Sequence, residues 1–169
     1  MNMWSTDFTV LTAVQRWNSD AQSTPKALRG EQMKAIMVLE ESSATKFPRI
    51  GSDEIFSNIK RFDNIDYDQE NFIVFFLDSQ SRLIGAEILF IGGLNYVGCD
   101  PKIIFRRALH NNANSIVIAH NHPSTDLEPS VNDKTFFRQL KEAGQIVGIG
   151  VVDSIIFNEK EYYSILKEL

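Results

Sequence analysis

The sequence predicts an α/β fold, a mixed central β-sheet flanked by helices. Three observations carry this. Short apolar runs of strand length alternate with stretches of helical spacing. The strand pairs at residues 72–91 and 149–165 are too closely spaced for the crossovers of a purely parallel sheet. Finally, 169 residues with 43% apolar and 23% charged composition suit one self-sufficient core, neither disordered nor fibrous.

The elements follow in chain order. Met1 to about Pro25 has no clear period and is left unassigned. Between Ala27 and Glu41, Leu28, Met33, Ile36, Met37 and Leu39 fall near helical spacing and predict a helix. Ser42, Ser43, Thr45, Pro48 and Gly51 form a loop, which divides a helical extension (1–50) from the main unit (51–169). Ser52-Asp53-Glu54 resembles a second helix start. Phe72 to Leu77 reads as a buried strand, Asp78 to Ser81 as a turn, and Ile84 to Ile91 as the returning strand, ended by Gly92-Gly93. Asp100-Pro101 supplies an N-cap and a first-turn proline for a helix to about Asn112. Ser115 to Ala119 is a short buried strand that delivers the chain to His120. Ser130 opens another helix, with Phe136, Phe137, Leu140 and Ala143 on one face and Gly148 just past its end. Ile149–Val152, Ile155–Phe157 and Tyr162–Ile165 complete a strand-rich tail.

Composition narrows the function. A single cysteine, Cys99, excludes an internal disulfide framework and a four-cysteine zinc site. A net charge of −5 argues against a broad phosphate-binding surface, so DNA is not the default partner. No basic leader precedes an apolar run, and no run approaches the roughly 20 residues of a membrane helix, so the expectation is a cytoplasmic chain with no membrane partner.

The segment from Ser115 to Asp133 carries the chemistry. Residues two apart on a strand end point to the same side, so His120 and His122 can present two imidazoles to one ion while Asn121 faces away. Pro123 stops the strand, and the loop can fold back so that Asp133, in the first turn of the next helix, adds an oxygen. Two imidazoles and one carboxylate leave a fourth tetrahedral position for water, as in a catalytic zinc site. Each piece also has a plainer use. His-Asn-His fits ordinary strand-end polar residues, and Ser130 with Asp133 fits a capping box. Only the metal reading requires all of them together.

This segment resembles the JAB/MPN metalloprotease motif, His-x-His-Pro, a spacer, then Ser-x-x-Asp. It is most similar to the bacterial RadC branch, through Ala119 to Ser124 and Pro129, Ser130 and Asp133. Further similarity runs from about residue 50 to the C-terminus, including Phe72–Asp78, Arg82-Leu83-Ile84, Leu94-Asn95, Pro101, Ala108-Leu109 and Asp153 with Ile155-Ile156. The resemblance implies a cytidine deaminase-like architecture and a zinc ion on His120, His122 and Asp133. It also implies water-driven hydrolysis of an amide bond in a protein or peptide substrate. Glu70 corresponds to the family's general base, with Glu87 as runner-up, and Ser130 to its oxyanion donor. As an alternative, the RadC resemblance implies a DNA-repair or mobile-element accessory protein that uses the fold for binding. A homo-oligomer is compatible with the sequence, and a neighbouring chain can mask the open metal position. A nucleoside deaminase needs a Pro-Cys-x-x-Cys run that one cysteine cannot supply. Two positions depart from the RadC pattern: Thr125 stands where glycine is usual, and Ser154 where histidine is usual. No helix-hairpin-helix is recognisable before residue 50. Asn121 and His110 are other polar candidates near the motif; a cation suits the helix end that carries His110.

Overall fold

The computed structural model describes residues 36–38, 50–92 and 99–168. Its elements are β1 (Ile36–Val38), α1 (Ser52–Ile59), β2 (Asn71–Leu77), β3 (Leu83–Ile91), α2 (Pro101–His110), β4 (Ser115–Asn121), α3 (Val131–Val147), β5 (Gly150–Phe157) and β6 (Tyr162–Ser164). The strands form one sheet in the order β1-β3-β2-β4-β5-β6. Only the β4–β5 pair is parallel; the other four pairs are antiparallel. The mixed α/β sheet expected from the sequence is the one observed.

All seven positions of β2 are buried, because helices cover both faces of the sheet. Phe72, Val74 and Phe76 point to the face that also buries Ile104, Phe105 and Ala108 of α2 and Phe137 and Leu140 of α3. Ile73, Phe75 and Leu77 point to the opposite face, against Ile55 and Ile59 of α1. Each such side chain contributes about 1.5–3 kcal/mol on burial, so the unbroken apolar run is what a two-faced strand requires.

The ends of α3 follow local chemistry. Ser130 caps it by accepting a hydrogen bond from the Asp133 N–H, and Gly148 closes it in the left-handed region at φ 79°. Gly144 lies on the face packed against β5, where an added Cβ would stand 2.4 Å from the Ile149 carbonyl oxygen. The β2–β3 hairpin turns through Asp78, whose backbone N–H donates to the Arg82 carbonyl, and α2 begins on Asp100 with Pro101 in its first turn.

Two expectations are corrected. Residues 36–38, inside the segment read as a helix, form β1 and pair antiparallel with Gly85–Glu87 of β3. Spacing near a helical period does not exclude a strand where a neighbouring strand offers an open edge. The remainder of that segment, like Gly93, Leu94 and Asn95, lies outside the described residues. The tail is also less divided than expected. β5 runs unbroken through Asp153 and Ser154, which requires that the buried carboxylate be paired. Asp153, 3% exposed, is fully supplied with donors: the Ser52 and Ser164 hydroxyls on one oxygen, and the backbone N–H groups of Ser154 and Leu166 on the other. Among the described residues, no helix is long and apolar enough to cross a membrane.

Candidate metal centre

β4 and β2 are antiparallel neighbours, with His120 opposite Phe72. His120 therefore emerges on the face covered by α3, its ring stacked 6.5 Å from Phe72, centroid to centroid. His122 follows where the strand has ended, and the N-terminal turn of α3 brings Asp133 to both. The two Nε2 atoms stand 3.1 Å apart. His120 Nε2 lies 3.3 Å from Asp133 Oδ1, and His122 Nε2 lies 3.5 Å from Asp133 Oδ2.

These separations test whether the residues fit a metal. Four ligands about 2.0–2.1 Å from a tetrahedral ion stand about 3.3–3.4 Å from one another. The observed separations fall around that value, with the two imidazoles facing different oxygens of the Asp133 carboxylate, and one donor atom from each of the three residues lies within 4.8 Å of the others, close enough for the set to share one ion. Among the described residues this is the group of His, Cys, Asp and Glu that could hold an ion.

The ligands are oriented from behind, unequally. His122 Nδ1–H donates to the Asp126 carbonyl at 2.9 Å, which leaves its Nε2 lone pair facing the cluster. His120 Nδ1 is buried with no hydrogen-bond partner, so Phe72 packing and the strand itself orient that ring. The Asp126 carbonyl is presented by a turn in which Thr125 N–H donates to His122 O, with Thr125 at φ 61°. The position where glycine is usual thus has the backbone that favours glycine. Asp133 Oδ2 accepts from the Ser130 N–H at 2.8 Å and from the Ser130 hydroxyl at 2.6 Å.

Charge is also arranged for a cation. Burial opposes ionisation of Asp133, but both imidazoles and Ser130 outweigh it and hold the carboxyl well below the usual carboxylate range. The hydrogen bond to Asp133 raises the His122 pKa against its burial, with the Asp126 carbonyl and the Asp133 and Glu70 charges adding to it.

The cluster opens into a cavity of about 260 Å³ lined also by Glu70, Cys99, Asn132, Phe136 and Ser154. Glu70 immediately precedes β2 and lines this space; Glu87 does not. Glu87 is 3% exposed and grips Arg107 through two hydrogen bonds of 2.6 Å, with Asn111 donating a third at 3.2 Å. Of the two acids singled out from the sequence, the structure brings only Glu70 to the histidines.

Ser130 differs from the oxyanion role expected of it. Its one hydroxyl proton goes to Asp133 Oδ2, and its oxygen accepts from the Asp133 N–H at 3.1 Å. The capping box and the metal reading therefore hold together: the cap aims the ligand. His110 is exposed at the end of α2 and does not line the cavity. Sequence reasoning missed Cys99, which lines the cavity and which nothing local signals. Asn121, named from the sequence without a partner, is 1% exposed and reaches across to the Gln69 carbonyl and the Asn71 N–H.

Comparison with known proteins gives the arrangement a family. A model described as RadC-like JAB domain matches residues 52–169. A UPF0758 protein of Carboxydothermus hydrogenoformans is 36% identical over 129 residues, covering 76% of this chain and 57% of that protein. One from Staphylococcus haemolyticus is 37% identical over 120 residues, 71% of this chain and 53% of the relative. The UPF0758 protein YkfG of Escherichia coli is 41% identical over 97 residues, 57% of this chain and 61% of the relative. The matches thus span little more than half the length of these relatives. With its helix-flanked mixed sheet and a His-His-Asp cluster at the end of β4, the chain belongs to the RadC-like JAB domain family.

Proposed function

We propose that this chain is a zinc-dependent metallopeptidase or isopeptidase that hydrolyses an amide bond in a protein or peptide. The observation that carries this reading is the spacing of His120, His122 and Asp133 at tetrahedral-edge distances, beside a cavity that Glu70 also lines. A zinc ion held by these three residues would lower the pKa of a coordinated water to about 7 and polarise a carbonyl oxygen.

The chain's own residues do the rest. Glu70 takes the proton from the attacking water and returns it to the departing amine nitrogen, which balances the hydrolysis without another acid. Phe72 and Phe136 give the cavity apolar walls beside the reacting groups, and the lower local polarity strengthens charge interactions there. Ser130 holds Asp133, and it serves as an oxyanion donor only when its hydroxyl turns away from that carboxylate.

Metal analysis of untagged protein tests the first step. About one zinc per chain is expected, and His122→Ala should remove it; equal metal in both proteins overturns the reading. A pull-down with Glu70→Gln, which keeps the metal but stalls turnover, should retain protein or peptide substrates that the parent chain releases. Capture of DNA instead would replace the peptidase reading with the accessory one.

A further inference from the structure

We propose that Asn121 is a positioning residue that fixes Glu70 against the histidine pair; this rests on reading Glu70 as the base. Asn121 stands between the two histidines in the chain but points to the other side of β4. Its Nδ2 donates to the Gln69 carbonyl at 2.8 Å, and its Oδ1 accepts from the Asn71 N–H at 2.8 Å. These two groups belong to the residues on either side of Glu70. The β2–β4 ladder ends at the Phe72–His120 pair, so at the next position a side chain takes over the work of backbone pairing.

Other bonds close the bracket. Asn71 Nδ2 donates to Asn121 Oδ1 at 3.0 Å and to the Asp66 carbonyl at 2.8 Å. The Glu70 carbonyl itself accepts from Gly92 N–H at 2.9 Å. Asn71 and Asn121 are each 1% exposed. A buried amide pair of this kind is costly unless its members are paired; Asn71 Oδ1 is left without a hydrogen-bond partner, and the pairing that is made is spent on the segment that carries Glu70. The pleat that aims His120 into the cavity sends Asn121 the opposite way to meet that segment. One dipeptide therefore sets both the metal ligand and the distance from it to the carboxylate.

Cobalt(II) is the probe, since it accepts the same nitrogen and oxygen donors as zinc and absorbs visible light. The full-length chain, loaded with one equivalent, is titrated while its absorption is followed. A carboxylate beside the metal raises the pH at which the spectrum changes, so Glu70→Gln should lower that midpoint by about half a pH unit or more. Asn121→Ala should lower it in the same direction with cobalt content unchanged, and should add nothing in the Glu70→Gln background. A midpoint that Glu70→Gln moves and Asn121→Ala leaves in place overturns the positioning role and spares the base. An Asn121→Ala shift of equal size in the Glu70→Gln background also overturns it, because the residue then acts through the histidines. If Glu70→Gln moves nothing, both readings fall. Should Asn121→Ala not fold, Asn121→Ser, too short to reach either group, replaces it. Amide exchange of the parent chain gives an independent check: the Asn71 N–H should be as protected as those of central β2, and exchange at an open-loop rate overturns the latch.

Discussion

Glu87 and Asp133 are carboxylates on the same face of the sheet, and they meet very different company. Glu87 lies opposite Val74 and is matched by a permanent cation, Arg107, in a two-pronged contact, with Asn111 completing the shell. Asp133 faces two imidazoles, which carry charge only when protonated and whose Nε2 atoms stand 3.1 Å apart. The first carboxylate is satisfied by its own protein and braces α2 against β3. The second has its charge balanced only if protons or a metal ion enter the cluster. Both are at least partly buried beside a nitrogen, so neither feature alone marks a site. What separates them is whether the fold itself supplies the cation.

That contrast can be broken first at the brace. Arg107→Ala strands the Glu87 carboxylate and should cost about 3 kcal/mol in urea unfolding. Zinc content per folded chain should stay unchanged; a loss of metal in this variant would mean that the two carboxylates are not independent. At the other carboxylate, zinc at about 100 times its dissociation constant should stabilise the parent by about 2.7 kcal/mol. A chelator should reverse this, and Asp133→Asn should abolish it. Metal-independent melting of the parent would remove the distinction altogether.

A smaller effect is expected in the loop between the ligands. Thr125 holds a left-handed φ of 61°, at a cost of about 1 kcal/mol for a residue with a Cβ. Thr125→Gly should therefore stabilise the fold by about 1 kcal/mol while preserving zinc affinity. Destabilisation would show that the threonine side chain does more than occupy the turn.

The smallest effect concerns Cys99. Burial, with the Glu70 charge adding to it, pushes the thiol up to about 12. The folded value lies above the unfolded one, so the neutral thiol contributes stability below the unfolded pKa, and that contribution is lost as pH rises toward 12. At pH 8 alkylation should be much slower in buffer than in urea. Glu70→Gln should speed it only slightly, because burial is the larger cause; equal rates in buffer and urea would place the thiol outside the cavity.

The parts legible in the sequence obey short-range rules. Ser130 and Gly148 bound α3 because capping and a left-handed close depend on residues a few positions apart. His120 and His122 share a side because a strand alternates, and Asp133 follows from the same cap that starts the helix. The hairpin of β2 and β3 was readable for a similar reason, its turn lying between two apolar runs. The choice between Glu70 and Glu87 was not readable. Both stand at or within strands, and only the pairing with Arg107, 20 positions beyond Glu87, removes one of them.

The sequence by itself determined the α/β elements of the main unit, the donor set and the family motif, because each depends on periodicity or spacing within about one element. Tertiary structure alone decided that residues 36–38 add a strand to the β3 edge and that β5 passes through Asp153. It also decided that Asn121 grips both neighbours of Glu70. The physical reason is that a buried polar group is stable only with partners, and the chain brings those partners from far away. Ser52 reaches Asp153 across 101 positions and Asn71 reaches Asn121 across 50, distances over which no local pattern in the sequence reports.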